Sequence, residues 1–101
     1  MNLREWARGQ PCQVRLIGCD GGVATTVLAH LRRASTAGVG QKPPDLCAVI
    51  ACAYCHDVID GRIPRLEADG DFETLLLDAL LRTLALVWRK FDVVEWDEVR
   101  R

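Results

Sequence analysis

Six residues separate Cys12 from Cys19, and after a long gap two residues separate Cys52 from Cys55. Thiolates are soft ligands, and Zn²⁺ takes four such groups in a tetrahedron. One pair on a turn-rich segment and one at a helix start supply that geometry. The four are therefore expected to hold a structural Zn²⁺. Cys47 lies in an apolar run and reads as a small buried thiol. Cys52-Ala53-Tyr54-Cys55-His56 also fits a c-type haem attachment motif. That chemistry needs export and a second axial ligand such as Met, and the only Met is Met1. A thioredoxin-like redox site would likewise set C-x-x-C between a strand and a helix. It would need more alternating strands and helices than this chain offers, and it predicts a reactive thiol at Cys52 with no bound metal.

The two histidines are tied to the same segments. His30 ends an apolar, β-branched stretch, and His56 directly follows the last cysteine. His56 and Asp60 are spaced so that both fall on one face of a helix. One imidazole and one carboxylate there could hold Mg²⁺ or Mn²⁺, with open positions for water and phosphate. The plainer alternative is an exposed pair making a weak local contact.

Several elements must position these groups. Residues 1–11 carry a short amphipathic stretch of one or two helical turns, ended by Gly9 and Pro11. Residues 12–32 read as two short strands around a tight turn: Gln13-Val14-Arg15-Leu16 alternates, Cys19-Asp20-Gly21-Gly22 has turn chemistry, and Thr25-Thr26-Val27-Leu28 is β-branched and apolar. Residues 33–45 form a loop broken by Gly38, Gly40, Pro43 and Pro44. The apolar run Leu46 to Ala51 leads into a short helix that begins at Cys52 and ends at Gly61. A knuckle first and a helix N-terminus last is the arrangement of a treble-clef zinc finger. The clearest helix covers roughly 72–91, with Asp71 as N-cap, Glu73 in the first turn, and Arg89 and Lys90 in the last. Its polar stripe is narrow and its apolar arc is wide. Either the helix wraps the zinc module or its excess apolar surface is buried in a homodimer. Val93 to Trp96 would add a strand or pack back on the helix.

A chain of 101 residues makes one domain, 1–101. A core this small benefits from a metal staple. The start, Met1 to Arg8, lacks an apolar signal core. The most apolar stretch, Leu75 to Trp88, is interrupted by Asp78 and Arg82, so no membrane span is expected. A cytoplasmic protein follows, and reduced thiols there serve as metal ligands or redox groups rather than disulfides. The net charge of −1 does not by itself indicate nucleic acid. Its distribution is uneven: residues 1–42 carry +4 and residues 43–101 carry −5. The basic half could face phosphates, or it could be a solvated surface.

His30, then C-x-x-C-H opening a helix, then Asp60 resembles the ββα-metal motif of HNH nucleases. The stretch from Cys12 through Arg62 also closely resembles the YbcO-type nucleases of phages and prophages. The pieces that carry this are Cys12-Gln13-Val14-Arg15, Val27-Leu28-Ala29-His30, Lys42-Pro43-Pro44-Asp45-Leu46, and Ile50-Ala51-Cys52 through Cys55-His56-Asp57, with Ile59-Asp60. The resemblance implies an α+β fold: a treble-clef, HNH-like zinc module over about 12–62 with a long C-terminal helix. It implies a metal-dependent endonuclease acting on DNA in a bacterial host cytoplasm. His30 would be the general base. His56 and Asp60 would hold the catalytic Mg²⁺ or Mn²⁺, and Cys12, Cys19, Cys52 and Cys55 the structural Zn²⁺. Arg15, Arg32, Arg33 and Lys42 would contact phosphates.

The sequence departs from the HNH pattern in two places. Ala29 stands where many such enzymes carry a metal ligand. The middle position, commonly an Asn that steadies the base, is Cys47 or Asp45. Asp20, Asp45 and Asp57 are candidates for a further ligand. These departures sustain a second reading, a non-catalytic zinc module that binds nucleic acid or a protein. The same scaffold serves both.

Overall fold

The computed structural model describes residues 2–33 and 43–91. Asn2 caps the first helix, α1 (Leu3–Ala7), by accepting a hydrogen bond from the Glu5 amide. Two four-residue strands follow, β1 (Val27–His30) and β2 (Ala48–Ala51). They pair antiparallel, with Val27 opposite Ala51 and His30 opposite Ala48. Helix α2 (Ala53–Ile59) starts directly after β2, and a 3₁₀ turn (Glu67–Asp69) leads to the long helix α3 (Phe72–Lys90). The result is a small α+β fold with a two-stranded sheet and three α-helices among the described residues.

The helix starts and stops follow the sequence. Asp71 caps α3, accepting from the Glu73 amide and the Thr74 hydroxyl. Gly61, at φ +81°, ends the turn after α2. The hairpin expected over 12–32 is not formed. Residues 13–16 are not a strand, because Arg15 takes a left-handed backbone conformation (φ +60°) and the Cys19 amide bonds back to the Leu16 carbonyl at 2.9 Å. The chain makes a knuckle there, and the partner of β1 is the later apolar run. Val14 and Leu16 still point into the core.

Strand alternation sorts the core into two faces. Ala29, Val49 and Ala51 pack with Cys12, Val14, Leu16, Val58 and Ala79 on one side. Leu28, Ala48 and Ile50 pack with Trp6, Ala7 and Val87 on the other. His30 shares the parity of Leu28, so it emerges on the side that α1 covers. The outer edge of β2 is occupied rather than left open. The Ile50 carbonyl accepts from the Gln13 amide at 2.8 Å, and the Ile50 amide donates to the buried Thr83 hydroxyl at 3.2 Å. The Arg82 guanidinium donates to the Gln13 carbonyl, tying α3 to the knuckle.

None of the described helices is long and apolar enough to cross a membrane. Along α3, Leu77 and Leu81 are 54% and 55% exposed, so part of its wide apolar arc faces outward. The segment Val93 to Trp96, and Lys42 in the loop, lie outside the described residues.

Candidate functional site

The knuckle and the start of α2 bring four sulfurs together. One ligand atom from each of Cys12, Cys19, Cys52 and Cys55 lies within 4.8 Å of all the others, and Cys19 Sγ is 3.6 Å from Cys52 Sγ. Cys12, Cys52 and Cys55 are buried. Local structure holds them in place. Cys52 occupies the N-cap position of α2 without capping it. The orphan amide of Ala53 is met instead by the Thr25 hydroxyl at 3.0 Å. Gly18, at φ +97°, turns the knuckle beneath Tyr54, where a Cβ would sit 2.7 Å from the ring.

The electrostatics of the cluster ask for a cation. The neighbouring Cys55 thiol draws the Cys12 pKa down to about 4, helped by backbone amides and opposed by burial. Burial pushes Cys19 up to about 11. Hydrogen bonding to Cys12, together with burial, pushes Cys55 well above its ordinary value. Once Cys12 is a thiolate, its neighbours resist ionising. A cation at the centre removes that resistance, so the four cysteines could hold a metal ion such as zinc.

A second constellation lies on the His30 side. His30, His56 and Asp60 line one cleft of about 390 Å³. An adjoining cleft of about 380 Å³ shares His30 and Asp60. His30, with its side chain 9% exposed, donates from Nε2 to Asp45 Oδ1 at 2.7 Å. That bond, aided by Arg4, holds the Asp45 carboxyl below its usual range against the opposing effect of burial. On α2, His56 Nε2 lies 3.1 Å from Asp60 Oδ2. Arg62 reaches the same Asp60 oxygen at 3.3 Å and Asp57 Oδ1 at 2.8 Å.

The expected phosphate contacts divide. Arg32 lines both clefts, and Arg33 lines the second while pairing with Glu73 at 2.9 Å. Arg15 does not line either cleft; its guanidinium folds back on the Cys12 carbonyl and the Gln13 side chain, both at 3.4 Å. Of the further candidate ligands, Asp20 accepts from the Gly22 amide, Asp57 pairs with Arg62, and Asp45 engages His30. Ala29 is buried in the core on the opposite face of the sheet from His30.

Sequence reasoning passed over Arg4, Arg8 and Arg62, all of which line the His30 cleft. Arg4 and Arg8 sit one helical turn apart on the amphipathic N-terminal stretch, a spacing that could have singled them out. The His30–Asp45 bond spans fifteen residues of sequence and leaves no local signal.

Comparison with known proteins places these features in a family. The family model described as "Putative nuclease YbcO" matches residues 1–93. Two proteins of that description, from Escherichia coli (strain K12) and from Enterobacteria phage 82, are each 45% identical over 95 residues, covering 93% of this chain and 97% of the relative. A solved structure, "Structure of a putative bacteriophage protein from Escherichia coli str. K-12 substr. MG1655", is similar at a TM-score of 0.62 and 41% identity, over 86% of this chain and 95% of that one.

Proposed function

The chain belongs to the YbcO family, and from that premise we propose that it is a metal-dependent, HNH-type endonuclease that hydrolyses DNA phosphodiester bonds. It is a single domain over 1–101, phage- or prophage-derived, working in the bacterial cytoplasm. The observation that carries this reading is the meeting of His30, His56 and Asp60 in one arginine-lined cleft at a β–β–α junction.

Each residue has a role that its geometry suits. An ionised Asp45 can only accept, so its bond to His30 puts the proton on Nε2 and leaves Nδ1 basic. Asp45 thus does with a carboxylate what the HNH middle position commonly does with an amide. His30 then takes a proton from the water that attacks phosphorus in line. His56 and Asp60 offer a divalent cation two adjacent ligands. Bonds of about 2.0–2.1 Å at right angles would set the two donor atoms about 3 Å apart, and they stand 3.1 Å apart. Mg²⁺ or Mn²⁺ held there supplies charge neutralisation at the leaving oxygen. The sulfur cluster suits structural zinc equally well: bonds of about 2.3 Å in a tetrahedron put sulfurs about 3.8 Å apart. Arg32 and Arg33 line the clefts and would meet the DNA backbone, and Lys42 would add a further phosphate contact. Leu77 and Leu81 on α3 make the surface for a homodimer.

One observation favours the second reading, a zinc module that binds nucleic acid or a protein without cutting. Arg62 already engages the Asp60 oxygen that a cation would need. A Mn²⁺ titration decides between them. The nuclease reading expects Mn²⁺ binding by the zinc-loaded protein, lost in His56→Ala and Asp60→Asn together with cleavage, while zinc content stays unchanged. Cleavage that survives both substitutions would remove these residues from the chemistry.

A further inference from the structure

The cleft arginines differ in how they are engaged. Arg62 is held by Asp57 and Asp60. Arg8 and Arg32 carry no side-chain ion pair among the described residues, although both line the cleft. Arg4 is intermediate. Its Nε lies 3.3 Å from Asp45 Oδ1, and its side chain remains 54% exposed. That same Oδ1 accepts the His30 bond at 2.7 Å. Two cations or donors therefore share one carboxylate oxygen, and the weaker, more exposed of the two stands four residues from Arg8, which lines the same cleft.

We propose that Arg4 of α1 and Arg8, the residue that ends it, form a clamp for a backbone phosphate of duplex DNA, and that Arg4 leaves Asp45 for that phosphate when DNA docks. The proposal rests on the nuclease reading for its substrate but not for its geometry. A guanidinium grips carboxylate and phosphate alike when two N–H groups reach two oxygens, and the single Nε contact to Asp45 leaves the rest of the fork open for the monoanionic phosphodiester. Arg8 adds a second positive charge on the same side, and Arg32 faces the cleft from the end of β1. The exchange leaves Asp45 Oδ1 to His30 alone. Docking at α1 and orientation of His30 are thereby linked through one atom. The link is built into the fold, because the parity of β1 puts His30 on the sheet face that α1 covers.

The clamp separates from general basicity by its pairing with Asp45. Binding of a fluorescein-labelled duplex DNA is measured by anisotropy over a range of salt, on zinc-loaded full-length protein without added Mg²⁺ or Mn²⁺. Arg4→Ala/Arg8→Ala is expected to weaken binding and to lower the steepness of log K against log salt by about 1, for the one phosphate that the pair neutralises. Arg4→Lys/Arg8→Lys should recover most of the slope. Asp45→Asn should tighten binding by about two- to fivefold, the size of an exposed ion pair, when Arg4 is present. In an Arg4→Ala background the same substitution should give little gain. An equal gain in both backgrounds, or a salt slope untouched by the double arginine variant, overturns the proposal, as does failure of the wild type to bind duplex DNA. Zinc content of each variant serves as the check on folding. Arginine-dependent binding without cleavage by the wild type would sustain the clamp and remove the nuclease reading. Cleavage with arginine-independent binding would do the reverse.

Discussion

At the scale of single residues, the four cysteines and the two histidines announced themselves by type and spacing. Soft ligands in pairs have few other uses, whereas an imidazole four residues before a carboxylate also fits a plain helix-surface pair. What their types could not convey is how they are held. Asp45 is legible only as one of two options for the middle HNH position and as one of three acids that could add a ligand; its bond to His30 joins residues fifteen apart and has no local signature. The cysteine environment leads to a pH prediction. The thiols do not ionise alike: hydrogen bonding from Cys55 draws Cys12 down while burial pushes Cys19 up, so at neutral pH the metal-free cluster retains protons. Metal entry must expel those protons. Zinc affinity should therefore rise with pH across the neutral range and fall on acidification, with net proton release on loading. Competition titrations with a chromophoric chelator at several pH values, together with proton release in weakly buffered solution, measure both. Affinity independent of pH would mean that the sulfurs are not the ligands.

Secondary-structure elements were legible where a strong local signal acted. The Asp71 cap, the Glu73 first turn and the periodicity of α3 fixed that helix almost to the residue. Gly61 marked the end of α2. At 13–16 the alternating pattern predicts a strand and the structure has a knuckle. Alternation buries Val14 and Leu16 either way, but the left-handed turn at Arg15 and the bond from the Cys19 amide to Leu16 belong to a ligand-bearing knuckle. Tertiary demand for two sulfurs on one side won over strand propensity. The knuckle should accordingly be sensitive at Gly18. Alanine there meets both a left-handed backbone and the Tyr54 ring at 2.7 Å. Gly9→Ala meets only the backbone conformation, since nothing lies within 4 Å. We expect a loss of about 1–2 kcal/mol for Gly9→Ala and about 1–3 kcal/mol more for Gly18→Ala, read by urea denaturation of the zinc-loaded proteins. Equal losses would show that Tyr54 gives way freely.

For the whole molecule, the two faces of one short sheet divide the work. One face, with Ala29, Val49 and Ala51, seats the sulfur cluster. The other is closed by α1 and by Val87 of α3, and it carries His30 at the strand end. The apolar run and the helix after it were within reach of pattern reading, but the pairing of that run with β1 and the division of faces were not, because both depend on the β1–β2 register. The outward leucines of α3 predict self-association. Leu77→Glu/Leu81→Glu should turn a dimer into a monomer by light scattering with zinc content unaltered. A wild type that is monomeric at high concentration would leave α3 as a wrap for the module alone. In the function proposed above, a zinc-held fold presents His30 as the base of a DNA-cleaving site. The most direct measurement is nicking of supercoiled DNA with Mg²⁺ or Mn²⁺ by wild type and His30→Ala, on preparations whose zinc is quantified in parallel. The account predicts equal zinc in both, nicking by the wild type, and a loss of about 10²–10⁴-fold in the mutant, the usual contribution of a general base. Nicking by His30→Ala at the wild-type rate, or zinc-loaded wild type that leaves DNA intact with either metal, would contradict it.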